Sequence, residues 1–121
     1  MRCFNIENRK EIEEYLYTSC THDGVFTNAV YDQISKTFTV HIDNPVWNGT
    51  EDLVFAGVCM FVSVADYKWG DNEQVNALVM LDSTKEPPGY VKNCEFEDKL
   101  CFVWEMFSGN QIFIVCSELR V

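Results

Sequence analysis

Positive charge is scarce in this chain. Nine lysines and arginines stand against nineteen aspartates and glutamates, leaving a net charge of −10 at pH 7. A surface of that sign repels phosphate and anionic lipid, so nucleic acid and membrane surfaces are disfavoured as partners, while a cationic protein or ligand is attracted. Long hydrophobic runs are also missing. The longest, Leu53 to Ala65, carries Gly57 and Ser63 and falls short of the roughly 20 apolar residues that a membrane helix needs. The first residues, Met1-Arg2-Cys3-Phe4-Asn5-Ile6-Glu7-Asn8, turn charged at once and hold no apolar core of signal-peptide length, which predicts a cytoplasmic protein. Cys3, Cys20, Cys59, Cys94, Cys101 and Cys116 show no C-x-x-C spacing, so reduced thiols behaving as small hydrophobes are expected rather than a disulfide framework. Glycine-rich phosphate cradles are absent, and so are internal repeats, low-complexity tracts and linkers.

Apolar and aromatic residues are plentiful. Hydrophobic residues make up 47% of the 121, enough to build one core and to argue against intrinsic disorder. One domain spanning residues 1–121 is expected. Residues 9 to 20 place Ile12, Tyr15, Leu16 and Cys20 at helical spacing, and Asn8 with Glu11 resembles a capping box at its start. Beyond Asp23-Gly24 the period changes to two. Phe38, Val40 and Ile42 alternate with Thr37, Thr39, His41 and Asp43, as in a strand with one buried face, and Val25 to Tyr31 reads as its antiparallel partner across the polar loop 32–36. Asn44-Pro45 ends the second strand, and Asn48-Gly49 reads as a turn. Leu53 to Ala65 is apolar on both parities and β-branched, which predicts a central strand buried on both faces. Val75 to Leu81 is a further strand. Leu100, Phe102, Trp104 and Met106, then Ser108-Gly109-Asn110, then Ile112, Ile114 and Cys116 compose a hairpin. The fold class expected is α+β: one antiparallel, curved sheet of about six or seven strands packed on a single N-terminal amphipathic helix.

Several segments carry a resemblance. His22-Asp23-Gly24 opening a strand, Tyr31-Asp32 followed by Lys36-Thr37-Phe38-Thr39-Val40, Phe55-Ala56-Gly57-Val58, and a closing Ile112-Phe113-Ile114-Val115-Cys116 together resemble a group of small bacterial antiparallel-β proteins. Some members are immunity proteins of contact-dependent or polymorphic toxin systems. That resemblance implies a protein that binds and neutralises a cognate toxin, and it brings no catalytic residue.

Candidate chemistry is sparse. Cys20, His22 and Asp23 supply a thiol, a base and a carboxylate, but Cys20 completes the apolar stripe of the helix, and a triad is defined by geometry rather than adjacency. The simpler expectation is that Asp23 accepts turn N–H groups and His22 packs where helix gives way to strand. His22, His41 and Asp43 are suitable zinc ligands only if they converge, and His41 and Asp43 fall on the solvent face of their strand. Asp66 to Glu73 lacks the alternating oxygen ligands of a calcium loop. No catalytic residue, cofactor or metal is therefore expected.

Aromatic rings in the loops are more informative. Trp47, Tyr67, Trp69 and Tyr90 lie beside turn residues, the middle pair among Asp66, Asp71 and Glu73. Rings of this kind anchor protein interfaces, and carboxylates around them steer a basic partner; alternatively they fold back to cap the sheet. The leading expectation is a non-enzymatic protein-binding domain, an immunity-like inhibitor of a basic toxin, with Trp47, Asp66, Tyr67, Trp69, Asp71, Glu73 and Tyr90 as its partner-binding residues. Two alternatives stand beside it: a small-molecule- or metal-binding protein or small enzyme with a pocket on the sheet, and a structural homodimer joined through a sheet edge. Either a monomer or a homodimer fits the sequence.

Overall fold

The computed structural model describes residues 2–18, 21–44, 49–63, 74–81 and 99–121. In chain order these form strand β1 (Cys3–Phe4), a short 3₁₀ turn (Ile6–Asn8), helix α1 (Arg9–Thr18), and strands β2 (Val25–Asp32), β3 (Thr37–Asn44), β4 (Gly49–Ala56), β5 (Met60–Ser63), β6 (Val75–Leu81), β7 (Leu100–Met106), β8 (Gln111–Cys116) and β9 (Glu118–Arg120). The class is broadly α+β and every pairing is antiparallel, but there are two sheets rather than one. The first has the order β1-β9-β4-β3-β2 and the second β5-β8-β7-β6.

The expected strand over 53–65 is the main correction. The segment is two strands, β4 in the first sheet and β5 in the second, broken at Gly57, where φ is +64°. The last strand of the chain bends beside it. β8 belongs to the second sheet and β9 to the first, with Ser117 between them donating its N–H to the carbonyl of Ala56 at 3.1 Å. Cys59 N–H donates to the Val115 carbonyl at 2.9 Å just past the break. Two neighbouring strands thus turn the same corner together. Glycine is required there: a Cβ at Gly57 would lie 2.7 Å from Ser117 Oγ and 3.0 Å from its Cβ, on top of the left-handed backbone. The apolar run misled because both of its parities are hydrophobic, which hides a bend. Burial on both faces belongs instead to β7 and β8. Their Leu100, Phe102, Trp104, Ile112, Ile114 and Cys116 enter the main core, and Cys101, Val103, Phe113 and Val115 form a second buried cluster.

The main core lies between the sheets. Phe26, Phe38, Val40, Ile42, Leu53 and Phe55 of the first meet Phe102, Trp104, Ile112 and Ile114 of the second, all fully buried. Trp104 packs edge-on against Phe26 (ring centroids 4.9 Å apart) and Phe55 (6.0 Å), and Phe55 meets Phe102 at 5.1 Å, arrangements that ring quadrupoles favour. Tyr31 at the end of β2 stacks on Phe61 of β5. At the start of β2, Val25 bridges to Gln74, and Val75 N–H donates to the Gly24 carbonyl at 2.7 Å, joining the sheets a second time.

Helix α1 contributes Ile12 and Tyr15 to this core, with Leu16 half-buried. Its described residues run to Thr18, whose hydroxyl donates back to the Glu14 carbonyl; residues 19 and 20 of the expected helix lie outside the described residues. It begins at Arg9, as expected, but the capping box belongs to the 3₁₀ turn ahead of it. Asn5, not Asn8, is the cap: the Asn5 side chain accepts from Glu7 N–H, and Asn8 reciprocates by accepting from Asn5 N–H. Arg9 and Lys10 lie in the first turn of α1, which continues from the 3₁₀ turn that Asn5 caps. The β2–β3 loop is as expected, with Asp32 accepting N–H bonds from Ile34 (2.8 Å) and Ser35 (3.3 Å), and Lys36 at positive φ.

Candidate binding surface

Alternation along β3 puts Phe38, Val40, Ile42 and Asn44 inward and leaves Thr37, Thr39, His41 and Asp43 on the outer face. The register carries this division across the sheet. His41 pairs with Asn28 of β2 and Asp52 of β4; Thr39 pairs with Val30 and Val54; Val54 continues to Arg120 of β9, and Arg120 to Cys3 of β1. One rung along, Thr37 faces Asp32 and Ala56, and Ala56 faces Glu118. The outer face of the five-stranded sheet thus bears the carboxylates of Asp32, Asp43, Asp52 and Glu118 against His41 and Arg120, with Val30, Val54 and Cys3 among them.

Its centre is His41. Nδ1 lies 2.5 Å from Asp52 Oδ1 across the β3–β4 pair, and Nε2 lies 3.1 Å from Asp43 Oδ1 on the same strand. A neutral imidazole has one N–H and one lone pair, so only the imidazolium donates to both carboxylates. The hydrogen bond to Asp52 is the chief cause raising the His41 pKa above its ordinary 6.5; desolvation works against it, and the charge of Asp52 and the bond and charge of Asp43 add to the rise. On β9 Arg120 bonds Glu118 at 3.3 Å and holds that carboxyl below its usual range, while the Glu118 carboxylate pushes the neighbouring Cys3 thiol up.

The other histidine is elsewhere and does other work. The His22 ring bonds the Asn76 carbonyl at the start of β6, and the His22 carbonyl accepts from Asn44 Nδ2 at 2.8 Å. Asp23, at φ +65°, directs its carboxylate toward His22 Nε2 at 3.4 Å instead of capping turn N–H groups; the turn is closed by Gly24 N–H on the Thr21 carbonyl. His22 and His41 take separate partners, and among the described residues no group of three or more His, Cys, Asp or Glu is placed to hold a metal ion. Of the thiols, Cys101 and Cys116 are buried as expected, but Cys59, read from its apolar neighbours as a core residue, is exposed because it follows the corner. Burial pushes the Cys116 thiol up to about 12.

All seven expected partner-binding residues, Trp47, Asp66, Tyr67, Trp69, Asp71, Glu73 and Tyr90, lie outside the described residues, as does Cys20. The surface that the structure does describe was half legible. Alternation places His41 and Asp43 outward, but Asp52 joins them only through the register of β4, whose start at Gly49 the apolar pattern from Leu53 onward does not mark. No described helix is long and apolar enough to cross a membrane. No protein-family model matches the chain, and no curated protein matches it.

Proposed function

We propose that this chain is a non-enzymatic protein-binding domain for a cationic partner, acting as an immunity-like inhibitor of a basic toxin. The observation that carries this reading is the open outer face of the five-stranded sheet, where Asp32, Asp43, Asp52 and Glu118 outnumber His41 and Arg120 on a chain of net charge −10. Carboxylates on a rigid sheet keep their spacing without an ordering cost at the moment of binding, and their summed field raises the encounter rate of a positive partner. The strand segments that resemble those of a group of small bacterial proteins, some of them immunity proteins, point the same way.

The test is a titration against basic toxin domains encoded beside this gene, at low and at high salt. Tight binding at low salt that weakens as ionic strength rises, together with loss of the toxin's activity, is the expected result. Absence of binding at low salt overturns the reading, and so does an affinity that salt leaves unchanged.

A further inference from the structure

The outer edge of β2 points to the way in which such a partner is held. We propose that β2 accepts an extended basic segment of the partner as a sixth strand of the first sheet; this rests on the cationic-partner reading above and specifies its geometry.

β2 is the terminal strand of its sheet and, at eight residues, one of the longest in the molecule. Its contact with β6 is confined to the first residues, through the Val25–Gln74 bridge and the Gly24–Val75 hydrogen bond. From Phe26 to Asp32 the side of the backbone turned away from β3 has no strand paired to it among the described residues. The opposite edge of the same sheet is different: β1 is two residues long, which leaves little ladder to extend.

Exposed edges are ordinarily protected by proline, lysine or a bulge. β2 has neither proline nor lysine, and its one irregularity falls between Phe26 and Asn28, so Asn28 to Asp32 pair regularly with β3 and present an even edge. Val30, which is 53% exposed, stands in the middle of that stretch. A strand laid along it satisfies the outward N–H and C=O groups, and the period of two sorts its side chains. Alternate residues join the outer face beside Asn28, Val30 and Asp32, one rung from the His41, Asp43 and Asp52 cluster; the others lie on the side of Ala29 and Tyr31. The fitting segment therefore alternates basic with apolar residues. A second copy of this chain is the poorer occupant, because it brings −10 to a face already dominated by carboxylates.

The probe is a capped ten-residue peptide of alternating lysine and valine, compared with a version N-methylated on alternate residues and with a scrambled lysine–valine peptide, all at low salt against the full chain. Amide exchange read by NMR is expected to slow at Asn28 to Tyr31 and not at Cys3 and Phe4. N-methylation along the bonding edge is expected to weaken binding about tenfold or more, since each blocked N–H forfeits a ladder bond. Val30→Lys is expected to weaken it about tenfold, whereas Tyr17→Lys, which adds the same charge on the exposed face of α1, changes it about twofold at most. Binding with no protection of β2, or equal loss from the two lysine variants, overturns strand addition and leaves the cationic-partner reading standing. Failure of every lysine-bearing peptide to bind overturns both. Self-association of the chain through β2, abolished by Val30→Lys, overturns the choice of occupant.

Discussion

His41 shows how much one side chain's setting depends on pairing two strands away from any obvious motif. Clamped between Asp52 and Asp43, it is charged where a free histidine is losing its proton. Because its pKa is raised in the folded state, the stability it contributes is fully present below the unfolded value of 6.5 and is lost as pH rises through the higher folded value. NMR titration of the ring is expected to give a midpoint above 6.5. Asp52→Asn should lower that midpoint more than Asp43→Asn does, since the Asp52 bond is the larger cause. A midpoint at or below 6.5 in the unsubstituted chain contradicts the clamp. Gly57 is the second decisive residue. Gly57→Ala forces an L side chain into the left-handed region and against Ser117, and is expected to cost about 3 kcal/mol. Gly109→Ala, at φ +94° but with open space around its Cβ, should cost only about 1 to 2 kcal/mol. Urea midpoints at unchanged slope measure the difference.

Among the elements, those that alternate cleanly were readable and those that do not were not. β3 and the β7–β8 hairpin follow from period-two patterns and turn residues, β2 from its place across the 32–36 loop from β3, and α1 from the spacing of Ile12, Tyr15 and Leu16. β1 and β9 are two and three residues long, too short for any periodicity, and they exist because each completes the other beside β4. The corner at Gly57 could not be read because a run apolar on both parities looks alike whether straight or bent. Burial of β7 and β8 on both faces has measurable consequences. Iodoacetamide is expected to modify Cys3 and Cys59 in the native protein and to spare Cys101 and Cys116 until the protein unfolds, as mapped by mass spectrometry. Phe102→Ala removes a ring packed against Phe55 and should destabilise by about 3 to 5 kcal/mol in the same urea assay.

For the whole molecule, charge decides which partners are approached and sheet architecture decides what is presented to them. The acidic balance was plain in the composition; which carboxylates share a face was not, because that requires the register of β4 and β9 against β3. The same register makes the surface respond to acidity. As His41 gives up its proton the net charge of the outer face falls by one, so affinity for a basic partner is expected to rise over the pH interval around the folded pKa, which lies above 6.5, and His41→Asn should flatten that dependence. Isothermal titration across the interval reads it directly.

The shared corner bears on how this protein comes apart. Since β4 runs into β5 and β8 into β9, each layer borrows its neighbours from a ribbon that the other layer also uses. Neither half has a private scaffold on which to persist when the other melts. Resonances of the His41 ring and the Trp104 indole, one from each half, should vanish at the same denaturant concentration, and a gap between the two would mean that the seam yields first.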